Sequence, residues 1–240
     1  PQIGYENVGT TKEALTSEYI YPRLQEFFKE NDIIIAETGI IPQGIAPIKF
    51  PNNVEFQTQT LWGSIGWATP ATLGVCLAKP HSRVIMITGE GSHQLTAMEV
   101  GNMLRRDIKP IIIVLNNNGY TIERILSNSP DDKFNDIMQM NYSKFARVFD
   151  GDIWATRVTT KEDFDKALKV TQIMNKMCYI EICTEKMDLP ELTSKMIASF
   201  KQGNAEKSIQ EKYCEPAKAE LNEFLDFETV VHKGLGDIDE

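Results

Sequence analysis

Residues 83–124, RVIMITGEGSHQLTAMEVGNMLRRDIKPIIIVLNNNGYTIER, decide the fold. The apolar run 83–88 is too short for a buried helix and long enough for a buried strand. It turns at Gly89-Glu90-Gly91-Ser92, and Leu95, Met98, Val100, Met103 and Leu104 follow at near-helical spacing. Pro110 interrupts the pattern, and a second run, Ile111 to Leu115, ends in Asn116-Asn117-Asn118-Gly119. Strand, turn, helix, strand, turn is one βαβ unit of a parallel sheet. Both polar turns fall at carboxyl ends of strands, the edge where open α/β sheets bind ligands. The fold class expected is α/β: an open, mainly parallel sheet with helices on both faces.

The residue types in these turns suit a phosphate and a divalent ion. Gly89 and Gly91 permit a tight turn and close approach of backbone to ligand, and the amides of Gly91 and Ser92 open a helix. Glu90, the Asn117 side chain and the Gly119 carbonyl offer hard oxygens suited to magnesium. Each turn alone also reads as an ordinary βα turn; the pairing of the two argues for a site.

The two turns carry a resemblance. GEGSHQLT and NNNGYTIE are similar to the thiamine-diphosphate motif, and most of all to its pyruvate and indolepyruvate decarboxylase branch, where the text runs GDGS–LQLT and NNDGYTIE or NNEGYTVE. The similarity extends upstream to AETG at 36–39 and LWGSIG at 61–66, and downstream to about residue 203. It implies thiamine diphosphate and Mg2+ as cofactors, a thiamine-diphosphate-binding fold, and lyase activity on a small 2-keto acid such as pyruvate or indolepyruvate, giving aldehyde and CO2.

The same resemblance assigns residues. Glu90, Asn117 and Gly119 become metal ligands. Thr38 and Gly39 border the aminopyrimidine end of the cofactor, with Ile40 where yeast-type relatives carry Thr. Gly63 offers its carbonyl to the cofactor's amino group, Ser64 adjoins it, and Ile65 wedges between the two rings. Gly91, Ser92, Tyr120, Thr121 and Ile122 complete the cofactor-binding set, with Ile122 lining the substrate pocket. Glu123 is the catalytic acid/base. On local sequence alone Ile65 would be a core residue and Glu123 a helix-dipole partner.

Three departures from the family pattern qualify the assignment. Glu90 stands where the family has Asp, which moves the carboxylate out by about 1.5 Å. Magnesium requires ligands at about 2.0–2.1 Å, so weaker metal binding is expected. No stretch resembles the pyrimidine-binding half, which brings the activating Glu and a His pair, so the isolated chain is expected to be inactive. Residues 204–240 match no family feature.

Composition agrees. The chain has 240 residues and a formal net charge of −9, which argues against a nucleic-acid surface. No run reaches the roughly 20 apolar residues of a membrane span. Cys76, Cys178, Cys183 and Cys214 lack CxxC spacing and read as reduced thiols of a cytoplasmic protein. The first residue is Pro1, which suggests part of a longer polypeptide. Residues 1–203 are expected to form the cofactor domain, and acidic 204–240 a short helix (Leu221, Phe224, Leu225) or a mobile tail.

Beyond the central unit, Thr10 or Thr11 is expected to cap a helix through Glu30, with Leu15, Ile20, Leu24, Phe27 and Phe28 on its apolar side. Residues 33–36 should form a strand, 68–78 a helix of small residues, and 127–140 a loop lying over the cofactor edge. A short helix over 141–149, a strand over 154–158, a helix over 163–177, a strand over 179–183 and a helix over 192–200 follow. Met138, Met140, Met174 and Met177 read as core filler. Trp62 and Trp67 fit core or interface, and neither His93 nor His232 reads as a ligand. The parent protein is expected to be a dimer or tetramer. The alternatives are a free-standing subunit of a two-chain decarboxylase, and a non-catalytic remnant that binds a partner. A carboligase such as acetolactate synthase fits the text after NN less well, and a NAD-type Rossmann domain lacks its GxGxxG.

Overall fold

A computed structural model describes residues 11–203. The chain divides into two units, Pro1–Ser194 and Lys195–Glu240. In the first, six strands form one sheet in the order β2-β1-β3-β4-β6-β5, every neighbouring pair parallel. The strands are β1 (Ile33–Ala36), β2 (Glu55–Thr58), β3 (Val84–Gly89), β4 (Ile111–Asn116), β5 (Ile153–Val158) and β6 (Met177–Cys183). The central strands β1, β3, β4 and β6 are buried on both faces and predominantly apolar because both faces are covered. Edge strand β2, EFQT, alternates exposed and half-buried residues.

One face is packed by α3 (Ala68–Ala78), α5 (Glu99–Arg105) and α7 (Tyr142–Phe145). Ala68, Cys76, Val100, Met103 and Tyr142 meet Ile33, Ile35, Val84, Met86, Ile112, Val114 and Tyr179 in one buried cluster. The alternate residues Ile34, Ile85, Ile87, Ile113 and Ile180 are equally buried and point the other way, as a period of two requires. On that side α1 (Ser17–Phe27) packs on α2 (Ile41–Ile45) and α8 (Lys161–Thr171), and α2 and α8 pack on the sheet. Among the described residues no helix is long and apolar enough to cross a membrane.

Several boundaries differ from expectation. α1 starts at Ser17 because residues 11–15 run extended against the start of α8. The Thr11 carbonyl accepts from Glu162 N at 2.9 Å, and Ala14 forms an antiparallel bridge with Thr160. Thr11 therefore caps nothing, and Thr10 lies outside the described residues. Leu15, Ile20, Leu24, Phe27 and Phe28 are all buried as expected. The single helix expected after Gly91 is two, α4 (Glu90–Thr96) and α5, broken at Ala97-Met98. The break carries Leu95 and Met98 to the surface, 58% and 67% exposed.

α8 ends at Thr171, and Met177 instead opens β6. Residues 141–149 form α7 followed by a 3-10 turn, Ala146–Val148, with Asn141 accepting from Lys144 N as the cap. α6 spans Thr121–Leu126, and α9 runs Glu191–Gly203 across the division between the units. Of the four methionines, Met177 is core, Met140 and Met174 are half-buried, and Met138 is 86% exposed, so it fills nothing. Cys76, Cys178 and Cys183 are free thiols. Cys214, His232, Leu221, Phe224 and Leu225 lie outside the described residues.

Candidate functional site

The chain passes from β1 outward to β2, then crosses to β3 and on to β4, so the sheet order reverses beside β1 and β3. That reversal opens a crevice at the carboxyl ends of the strands. The loops after β1, β3 and β4 converge on it and enclose a cleft of about 50 Å³, lined by Thr38, Gly39, Glu90, Gly91, Ser92, Asn117, Gly119, Tyr120, Thr121 and Ile122. Ten of the residues expected at the site thus meet in one place. Gly89, Ile40, Ile41 and Leu115 line it as well.

Glu90 is the centre of this cleft. It is 1% exposed, and its Oε1 accepts a 2.6 Å hydrogen bond from Gly119 N, joining the two turns directly. Burial pushes its carboxyl up to about 7, against the lowering effect of the amides of Gly119, Glu90, Asn117 and Gly91. A cation beside it would favour the charged form. Asn117 is buried at the same wall, while Asn116 and Asn118 shape the turn. Asn116 Oδ1 accepts from Asn118 N at 3.2 Å, and its Nδ2 donates to the buried carboxylate of Glu181 at 3.0 Å. Asn118 and Gly119 are both left-handed, with φ 63° and 124°. The Gly119 carbonyl accepts from Thr121 N at 3.0 Å and keeps a second lone pair.

Among the described residues no three His, Cys, Asp or Glu groups gather as a metal cluster. The expected ligand set contains only one such residue, Glu90; its other donors are an amide and a peptide oxygen. All three are hard oxygens, the chemistry magnesium takes. Gly91 leaves room for the Tyr120 ring, from which a Cβ there would lie 2.5 Å, while its amide and that of Ser92 stand in the first turn of α4. The residues present fit a divalent ion and a phosphate.

The second expected segment adjoins the first. Thr38 Oγ1 donates to the Ser64 carbonyl at 2.6 Å and to the Gln59 carbonyl at 3.3 Å. Gly63 is left-handed at φ 63°, and Ile65 is 40% exposed. Of these three, only Ser64 is joined to the cleft lining, by its carbonyl on Thr38, and none of them lines the cleft itself. Trp62, on the same loop, is 82% exposed, whereas Trp67 packs on the core. Glu123 lies in the first turn of α6, exposed and outside the enclosed cleft. The Thr121 hydroxyl donates to the Lys186 carbonyl at 2.8 Å, so its side chain braces the loop after β6.

Sequence reading missed Glu37, which is fully buried at the end of β1. Its carboxylate accepts from Thr38 N at 3.0 Å and from Ala68 N at 3.2 Å. It thereby caps α3, which has no cap of its own from Trp67. Burial pushes its carboxyl up, opposed by the amides of Thr38, Ala68 and Gly66. Position alone, a Glu ending an apolar strand, was the available signal. His93 is also fully buried, with Nδ1 3.1 Å from Thr69 Oγ1 and its ring against Tyr179, so it is a core residue.

Comparison with known proteins bears on this arrangement. The family model described as "Thiamine pyrophosphate enzyme, C-terminal TPP binding domain" matches residues 43–182. Pyruvate decarboxylase isozyme 1 of Saccharomyces cerevisiae is 39% identical over 184 residues, covering 74% of this chain and 32% of that protein. The alpha-keto-acid decarboxylase of Mycobacterium tuberculosis is 31% identical over 190 residues, 78% of this chain and 34% of its own. Among solved structures, the Rhodococcus jostii RHA1 thiamine diphosphate-dependent 4-hydroxybenzoylformate decarboxylase superposes with a TM-score of 0.67 at 22% identity. That match covers 75% of this chain and 34% of that one, and supports the fold alone. The chain spans about a third of the length of the curated relatives it matches.

Proposed function

The chain belongs to the thiamine pyrophosphate enzyme family as its C-terminal TPP-binding domain, and from that premise we propose that it is the cofactor-binding half of a non-oxidative 2-keto acid decarboxylase. Its work is the conversion of pyruvate, indolepyruvate or a similar acid to aldehyde and CO2. The observation that carries this reading is the 2.6 Å bond between Glu90 and Gly119, which joins the two turns over a cleft of hard oxygens. Residues 1–203 form the functional domain, and the protein works in the cytoplasm.

Thiamine diphosphate, when bound, supplies the carbanion-stabilising ring. The chain holds and orients it. Glu90, the Asn117 side chain and the Gly119 carbonyl would hold Mg2+, and the backbone amides of Gly91 and Ser92 would serve the phosphates. Thr38 and Gly39 sit at the aminopyrimidine end. The Gly63 carbonyl would be the acceptor for the cofactor's amino group and Ile65 would lie between its rings, while the Ser64 carbonyl keeps that loop on Thr38. Tyr120, Thr121 and Ile122 would complete the cofactor-binding set, with Ile122 also lining the substrate pocket, and Glu123 would deliver a proton there as general acid. Its position outside the enclosed diphosphate cleft suits a group that works at the reacting end.

A pyrimidine-binding domain, in the same or another chain, completes the site within a homo-oligomer. Leu61 and Trp62, 84% and 82% exposed on the loop carrying Gly63 to Ile65, offer apolar surface for it. The test mixes this chain with a separately made pyrimidine-binding domain and assays aldehyde from pyruvate and indolepyruvate. Activity that disappears in Glu123→Gln supports the enzyme. Inactivity with every competent partner supports a remnant that only binds.

A further inference from the structure

Arg124 heads the largest side chains that are completely buried, and the functions assigned above give it no task. It follows Glu123 in α6 but turns inward where Glu123 turns out. Its Nη1 donates to the Asn135 carbonyl at 2.9 Å. Its Nη2 donates to the Asn118 carbonyl at 2.9 Å and to Asp136 Oδ1 at 2.6 Å. The Asn135 carbonyl also accepts from Tyr120 N at 2.9 Å. One guanidinium therefore grips the peptide between the two left-handed residues of the turn and ties it to the loop beyond α6.

Gly119 makes room for it. A Cβ at that position would lie 2.4 Å from Arg124 Nη2 and 2.5 Å from the Asn135 carbonyl. A buried charge is costly unless its donors are matched; here Nη1 and Nη2 meet two carbonyls and a carboxylate, while the buried Nε has no hydrogen-bond partner among the described residues. Asn118, a non-glycine residue held at φ 63°, needs such support because the left-handed region is unfavourable to it. Packing alone would be served as well by an apolar side chain.

We infer that Arg124 is a positioning residue: it locks the 117–119 turn in the left-handed form that presents Asn117 and Gly119 to the ion, and couples that turn to residues 127–136. The metal part of this inference rests on the proposed function; the locking of the turn does not.

Two readouts on the full chain test it: hydrogen exchange, and titration with Mn2+ as the ion probe in the presence of thiamine diphosphate. Arg124→Met should speed exchange at the Gly119 and Tyr120 amides by about tenfold or more while β4 stays protected, and should weaken Mn2+ binding about tenfold. Asp136→Asn, which leaves both carbonyl contacts, should keep the Gly119 amide within about twofold of wild type. Arg124→Lys, with one point charge for a fork, should fall between.

Wild-type exchange at Gly119 and Tyr120 in folded Arg124→Met would overturn the inference, as would unchanged Mn2+ affinity in a chain that binds the ion. If the wild type takes up no Mn2+, the metal reading fails and exchange alone decides the inference. If Arg124→Met does not fold, Arg124→Lys decides by the same criterion.

Discussion

Glu90 places its carboxyl group where water is almost excluded, so its length matters more than that of a surface carboxylate. The extra methylene relative to the family's Asp is accommodated by reaching Gly119 N across the cleft. Glu90→Asp withdraws the carboxylate by about 1.5 Å, away from that amide, and restores the residue type of the family's metal position. Calorimetric titration should show Glu90→Asp binding Mg2+ with thiamine diphosphate several-fold more tightly than wild type; equal or weaker binding would show that Glu is the adapted residue.

His93 is informative for the opposite reason, since it has no part in the cleft's chemistry. Burial depresses its pKa to about 4. Between about 6.5, the value in an unfolded chain, and about 4, the unfolded state binds the proton and the folded state refuses it. Stability on this account is complete above about 6.5 and lost as pH falls towards 4, by about 3 kcal/mol in all. Urea unfolding of wild type and His93→Phe across pH 4–7 should show the wild type losing stability relative to the variant as pH drops. Parallel curves would mean that His93 is protonated in the fold.

At the scale of elements, the buried strands were legible, while edge strand β2, with one apolar residue in EFQT, and the helix ends were not. β1, β3 and β4 are mostly apolar runs and β6 is one broken only by the buried Glu181, because both faces are covered, and their boundaries emerged within a residue or two. The start of α1 was hidden because residues 11–15 take backbone partners from α8, more than a hundred positions away. The break between α4 and α5 was hidden because Leu95 and Met98 continue a helical spacing that the backbone does not follow. In the same way, Glu37 capping α3 and Arg124 gripping Asn118 are contacts that no local pattern encodes.

The meeting of α4 and α6 gives an element-scale prediction. Gly91 at the start of α4 lies so close to Tyr120, just before α6, that an added methyl must displace the ring. Gly91→Ala should destabilise the chain by about 1–3 kcal/mol in urea. Combining it with Tyr120→Ala should give less loss than the two changes added together. Additive losses would show that the two elements do not press on each other.

At the scale of the whole molecule, the candidate site was legible as far as it depends on two turns in one βαβ unit. Ten of its expected residues line one cleft because parallel strands bring their carboxyl-end loops to one edge. Of the other expected residues, Ser64 meets Thr38 of the cleft lining through its carbonyl, and Glu123 lies exposed in the first turn of α6. The family match on residues 43–182 takes in both groups apart from Thr38 and Gly39.

The central claim is that the loops after β3 and β4 hold a divalent ion against the diphosphate of thiamine diphosphate. Calorimetry of the full chain with that cofactor, with Mg2+ and with EDTA, for wild type and Asn117→Ala, measures it directly. The account predicts binding that requires Mg2+ and falls by about tenfold or more in Asn117→Ala, the loss of one ion ligand. Binding that ignores both EDTA and the loss of Asn117 would contradict it.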